Sequence, residues 1–136
     1  MQVRRLYNDG WMAGNLELAL QLLHPEIVWT AIESAPDAGM RTGLDECRVH
    51  MEDWLEDFDF ESHAIEVAGV ALDDCLVCAN HLVGTGKGSG IRTEIRYAST
   101  YRFAEDGRII EIHEYATLDE AFNAAGLSTR KWRREP

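Results

Sequence analysis

Positive charge is scarce in this chain: 13 lysines and arginines face 24 aspartates and glutamates over 136 residues, a formal net charge of −11. That balance repels phosphate backbones and anionic lipid, which argues against nucleic-acid binding and docking on a membrane surface. Long apolar runs are missing as well. No window approaches the roughly 18 uninterrupted apolar residues that a spanning helix needs, and the polar start Met1-Gln-Val-Arg-Arg-Leu-Tyr-Asn-Asp has no apolar export segment. A cytoplasmic protein is the expectation. Cysteine is limited to Cys47, Cys75 and Cys78, an odd number that fits reduced thiols rather than a disulfide framework. Cys75 and Cys78 are three apart in a strand-like stretch and would point to opposite faces, so they read as small core residues. His24, His50 and His63 lack metal-ligand spacing, and no metal or cofactor is expected. Internal repeats and low-complexity linkers are also absent.

What is present is ordinary globular material, 46% hydrophobic and 27% charged, of a length typical for one domain. We place that domain over residues 1–128, followed by a basic tail, 129–136, in which Trp132 is a candidate anchor on a partner subunit. Val3, Leu6, Tyr7 and Trp11 repeat at helical spacing, and Gly14-Asn15 supplies a stop. Asn15 caps a second helix through Leu23, closed by His24-Pro25. Glu26 to Ile32 reads as a strand, 34–43 as a loop, and Leu44 to Phe58 as an amphipathic helix. The period then changes to two. Phe60 to Leu72, Cys75 to about Gly86, Ile91 to Phe103 and Arg108 to Tyr115 read as four strands. Asp73-Asp74, the glycine-rich stretch Gly84 to Gly90 and Glu105-Asp106-Gly107 separate them as hairpin turns. Thr117 or Asp119 caps a last helical turn ended by Gly126. Helices gathered before antiparallel strands predict an α+β fold.

The run Tyr7-x6-Gly14-Asn15-Leu16-x7-His24-Pro25-Glu26-Ile27-Val28-Trp29, then Gly43, Asp45 and Arg48, then Phe103-x3-Gly107-Arg108-Ile109 and Tyr115, resembles the nuclear-transport-factor-2-like superfamily. Within it the chain looks most like the SnoaL-like branch, which includes polyketide cyclases, and it is similar to ketosteroid isomerases. The resemblance implies a cone: a curved, mainly antiparallel sheet wrapped around the N-terminal helices, enclosing an apolar pocket, usually in a homodimer. It implies fold more firmly than reaction. Ketosteroid isomerases need a tyrosine, a protonated aspartic acid and a basic aspartate. The matching positions here hold Tyr7, Ser99 and Ala31, and a methyl group moves no proton, so that activity is rejected.

The same register turns Ile27, Trp29 and Ala31 inward, with Ile95, Tyr97, Ser99 and Tyr101, and with Ile110, Ile112 and Glu114. Tyr7 and Trp11 share a helix face. The candidate catalytic residues are therefore Tyr7 and Ser99, to polarise an oxygen, and Glu114 or His81, to move a proton. Polyketide cyclases of this fold use an acidic residue near the last strand, which makes Glu114 relevant by resemblance. A slip of one residue would put His113 inside in its place. Trp11, Trp29, Ala31, Trp54, Tyr97, Tyr101 and Ile112 are the candidate contacts for a small apolar ligand or substrate. Three functions are in play: proton transfer on an apolar carbonyl compound, ligand binding without turnover, and a dimeric interaction module with a filled pocket. Ala98 and Thr100, on the outer face, are the expected homodimer surface.

Overall fold

A computed structural model describes residues 1–32, 38–71 and 75–127. The expected turn at Asp73-Asp74, part of the loop 34–43, the expected strand end at Leu72 and the basic tail with Trp132 lie outside them. The N-terminal helix is not uniform. It begins as α1 (Gln2–Arg4), widens into a π-helical turn over Arg5–Gly10 and tightens into a 3-10 turn over Trp11–Ala13. Gly14 at φ 76° then ends it in the left-handed conformation. A β-carbon on Gly10 would lie 3.0 Å from that of Ala19, so glycine here lets the first segment press on the second helix, α2 (Leu16–Leu22). Asn15 caps α2 by accepting the Leu18 N–H.

α2 ends earlier than His24-Pro25 would suggest. The chain is already extended at Leu23, and β1 runs Leu23–Thr30. Its ladder with the last strand shifts register between Leu23 and Val28, so Pro25, which has no N–H to give, sits in the irregular stretch. A short strand, β2 (Met40–Thr42), occupies what reads as loop in the sequence. α3 (Gly43–Asp57) follows, burying Cys47, His50 and Met51. The four long strands are β3 (Phe58–Val70), β4 (Cys75–Gly86), β5 (Arg92–Phe103) and β6 (Ile109–Tyr115), and α4 (Leu118–Ala124) closes the described chain. The Thr117 hydroxyl caps α4 by accepting the Glu120 N–H.

The strands form one six-stranded mixed sheet in the order β2-β1-β6-β5-β4-β3, with β1 parallel to β6 and the other neighbours antiparallel. The sheet is curved and open, and the α+β expectation holds. Its concave face packs on the N-terminal segment and α3 around Leu6, Tyr7, Trp11, Trp29, Met51, Tyr101 and Ile112. Register departs from simple alternation on β6. Arg102 pairs with Glu111 but Phe103 pairs with Ile109, a bulge at Ile110. Ile109 is therefore buried where Ile110 was expected, while Ile112 and Glu114, beyond the bulge, keep their phase.

The outer face is not bare. α4 lies across it, and Phe122 and Ala121 pack with Ala68, Val77 and Ala98. Gly69 permits that approach, since a β-carbon there would sit 2.9 Å from Phe122 Cε1. Ala98 and Thr100, expected as an exposed dimer surface, are only 1% and 4% exposed. This corrects the ground offered for a homodimer: both side chains are buried within the chain itself, Ala98 against α4. Phe122→Ala should therefore cost about 3–5 kcal/mol, the usual range for emptying a buried aromatic site. Urea unfolding of the two proteins checks this, and equal midpoints would contradict the packing.

Candidate functional site

Period-two alternation on five neighbouring strands brings a band of polar side chains onto the apolar concave face. β1 contributes Trp29, with Ala31 just past its end; β6 contributes Ile112 and Glu114. The Trp29 indole N–H donates to Glu114 Oε2 at 3.1 Å, which fixes the phase of β6. Glu114 thus lies on the side of Trp29, and His113 stacks on Tyr115 on the other, with ring centroids 4.4 Å apart. Across the β5–β6 ladder Glu114 pairs directly with Ser99. Thr30 pairs with His113, so one residue further on each strand stand Ala31 and Glu114.

From Ser99 a chain of hydrogen bonds runs through the core. Asn80 Nδ2 donates to Ser99 Oγ at 2.8 Å, Ser99 Oγ to the Tyr101 hydroxyl at 2.8 Å, and Tyr101 to the Tyr7 hydroxyl at 3.1 Å. The Tyr97 hydroxyl lies 3.2 Å from His63 Nε2, and His63 Nε2 lies 3.2 Å from Asn80 Oδ1, which extends the chain to six side chains with Tyr97 and Tyr7 at its two ends. Tyr7, Tyr101 and Ser99 are fully buried, Asn80 and His63 nearly so, and Tyr97 is partly exposed. Nδ1 of His63 has no partner among the described residues.

Burial dominates the electrostatics. Desolvation pushes the hydroxyls of Tyr7, Tyr97 and Tyr101 above the usual tyrosine range, and the nearby Glu114 charge works in the same direction on all three. They are neutral donors at ordinary pH. Burial also pushes His63 down to about 4, against a smaller upward pull from Asn80, so its imidazole is neutral. The thiols of Cys78 and Cys47 are pushed up to about 12 and about 11, again by burial first, which leaves them protonated and unreactive. Among the described residues no three His, Cys, Asp or Glu side chains are grouped to hold a metal.

The structure brings Tyr7, Ser99, Tyr97 and Tyr101 into one network. Trp29 holds Glu114 beside it, and Ile112 belongs to the same core. Trp11 packs on Tyr7 and Trp29 and gives its indole N–H to the Met51 carbonyl at 3.0 Å. Trp54 stacks on Phe60 and meets Trp11 and Phe58 edge-on. His81 does not join. It alternates with Asn80 and Leu82, so it projects from the outer face, where its Nε2 lies 3.0 Å from Glu94 Oε1. This corrects its candidacy as a proton mover at Tyr7. His63 and Asn80 were missed. Each occupies an inward position in a strand, His63 two before Ile65 and Asn80 between Cys78 and Leu82, and a polar residue in the apolar phase is the signal that could have found them.

Where β1 and β6 end, an open cavity of about 880 Å³ is lined among others by Thr30, Ala31, Met40, Glu114, Ala116 and Glu120. That is the size of a small-molecule site. Glu114 is shared: it belongs to the cavity wall and takes the Trp29 hydrogen bond. A carboxylate so held can take and return a proton, while the hydroxyls of Tyr7, Ser99, Tyr97 and Tyr101 lie outside the cavity lining.

Comparison with known proteins agrees with this architecture. The SnoaL-like domain model matches residues 3–112. A crystal structure from Bacillus subtilis named "Putative Isomerase" superimposes with a TM-score of 0.74 at 18% identity, covering 93% of this chain and 94% of that one. A Pseudomonas putida structure named a "putative polyketide cyclase" gives 0.70 at 15% identity, covering 91% and 94%. A protein of ketosteroid isomerase-like fold from Catenulispora acidiphila, solved with trimethylamine, gives 0.70 at 15% identity, covering 94% and 95%. At these identities the likeness concerns the fold. No curated protein sequence matches the chain.

The buried histidine makes stability depend on pH. Unfolded, His63 titrates near 6.5; folded, near 4, so between these values only the unfolded chain takes up the proton and acid favours unfolding. This group alone should cost about 2–3 kcal/mol between pH 7 and 4.5. The urea midpoint should fall less over that interval in His63→Gln than in the wild type; parallel curves would refute the assignment.

Proposed function

The chain belongs to the SnoaL-like domain family, and from that premise we propose that it is a cofactor-independent enzyme that moves a proton on an apolar, carbonyl-bearing small molecule. The observation that carries this reading is the position of Glu114, on the wall of the cavity, tied to Trp29, and directly opposite Ser99 in the ladder. Glu114 takes a proton from the carbon beside the carbonyl, and the negative charge that develops on oxygen is met by neutral hydroxyl donors. Return of the proton at another carbon gives an isomerase; attack of the enolate on a second carbonyl gives a cyclase; loss of a β-substituent gives a lyase. Ala31 bears on the comparison with ketosteroid isomerases. The carboxylate lacking at position 31, just past β1, has a counterpart on the adjoining strand at Glu114, so a base is available from a different direction.

Binding without turnover is the second reading, favoured by the complete burial of Tyr7, Trp29 and Tyr101, which leaves ligand space at the end of β1 and β6 rather than between those rings. Exchange of α-protons separates the two. Incubated with 1-tetralone in deuterium oxide and followed by proton NMR, the wild type should speed exchange over buffer, and Glu114→Gln should lower the enzymatic rate by about 10²-fold or more. Ketone bound with no exchange above buffer would establish the binder instead.

A further inference from the structure

The cavity at the end of β1 and β6 has two unlike walls. Beside Glu114 the wall is small and apolar. Thr30 pairs with His113, which sets Ala31 next to Glu114 across the strands, and Ala116 follows Glu114 two residues on; Ile32, Ala38 and Met40 line the cavity with them. Methyl groups in those two places leave room beside the carboxylate for an apolar body. The other wall comes from α4. Glu120, in its first turn, lines the same cavity and is exposed, and the Thr117 hydroxyl donates to its Oε1 at 3.2 Å. Two carboxylates from separate elements thus border one space, and among the described residues that line it there is no lysine or arginine. Arg41, next to Met40 in the chain, donates to the Gly39 carbonyl at 3.2 Å and lines a second groove, where Asp45, Glu46 and Asp53 outnumber it. A ligand charge inside a cavity of about 880 Å³ lies within about a Debye length, roughly 8 Å at physiological ionic strength, of the walls, so it feels their sign wherever it sits.

Resting on the reading of this cavity as the place where a carbonyl compound meets Glu114, we propose that Glu120 sets the charge of the compound admitted: a ketone with an apolar body and an ammonium group is taken, and a ketone bearing a carboxylate is excluded. The apolar body lies against Ala31, Ala116 and Met40, and the ammonium group is drawn to Glu120. Glu114, already tied to the Trp29 indole, is left to the α-carbon. Glu120 is a specificity residue and moves no proton.

The probes are three forms of 1-tetralone that carry a methyl, an aminomethyl or a carboxylate group on the benzene ring. They share one skeleton and differ in charge. Binding is read by titration calorimetry at pH 8, above the ordinary titration range of imidazole. The wild type should bind the ammonium ketone about tenfold or more tighter than the carboxylate ketone, with the methyl ketone between them. Glu120→Gln, which keeps an oxygen for the Thr117 hydroxyl, should reduce that ratio about threefold and leave the methyl ketone unchanged. Glu56→Gln removes the same charge from an exposed site on α3 outside both linings and should leave the ratio as it is. Salt at about 0.5 M should shrink the ratio in the wild type. Equal affinity for the ammonium and carboxylate ketones, a reduction by Glu56→Gln as large as that by Glu120→Gln, or no binding of any of the three would overturn the proposal. The two readings fail separately: charge preference without exchange of α-protons removes Glu114 as base and upholds the selection by Glu120, and exchange without charge preference does the reverse.

Discussion

The hydrogen bond from the Trp29 indole to the Glu114 carboxylate joins the parallel strands β1 and β6 on the concave face, and the site takes its form from that junction. An indole N–H inside an apolar core needs an acceptor, and a carboxylate on the same face needs a donor. Each satisfies the other. The consequence is positional: the phase of β6 is locked with Glu114 inward and His113 outward, and the carboxylate stands where the aromatic core meets the open cavity.

Behind that junction the concave face is polar in a single band, a hydrogen-bonded chain of six side chains from Tyr97 to Tyr7. Buried hydroxyls are tolerated because each has a neighbour, and desolvation keeps the tyrosines neutral. The same burial holds His63 neutral. A carboxylate base at the cavity wall and neutral donors behind it form a division of labour set by environment: the acid lies next to open space, and the hydroxyls lie where ionisation is costly. The net charge of −11 has little part in this. On α3 the acids Asp45, Glu46, Glu52, Asp53, Glu56 and Asp57 are all exposed and serve as a solvated coat.

Much of this was legible in the sequence because period and punctuation are local. Asn15 and Thr117 cap where their side chains predict, β4 runs Cys75–Gly86 as read, and the alternation through Ile27, Trp29 and Ala31 holds. What was not legible is long-range. The bulge at Ile110 depends on the pairing with β5, and the covering of Ala98 depends on where α4 comes to rest. The π-helical turn through Tyr7 ends at Gly10, where the chain runs close to Ala19 on α2. His81 and His63 look alike in sequence, each a lone histidine in a strand. Phase against the partner strand decides between them: His63 falls inward beside Asn80, and His81 falls outward beside Glu94.

We place ligand chemistry at Glu114, where the cavity wall meets Trp29. A crystal structure of the protein soaked with 1-tetralone should show the ketone in the cavity at the end of β1 and β6, with its α-carbon against the Glu114 carboxylate. A ketone bound elsewhere, or with its α-carbon turned away from Glu114, would refute that placement.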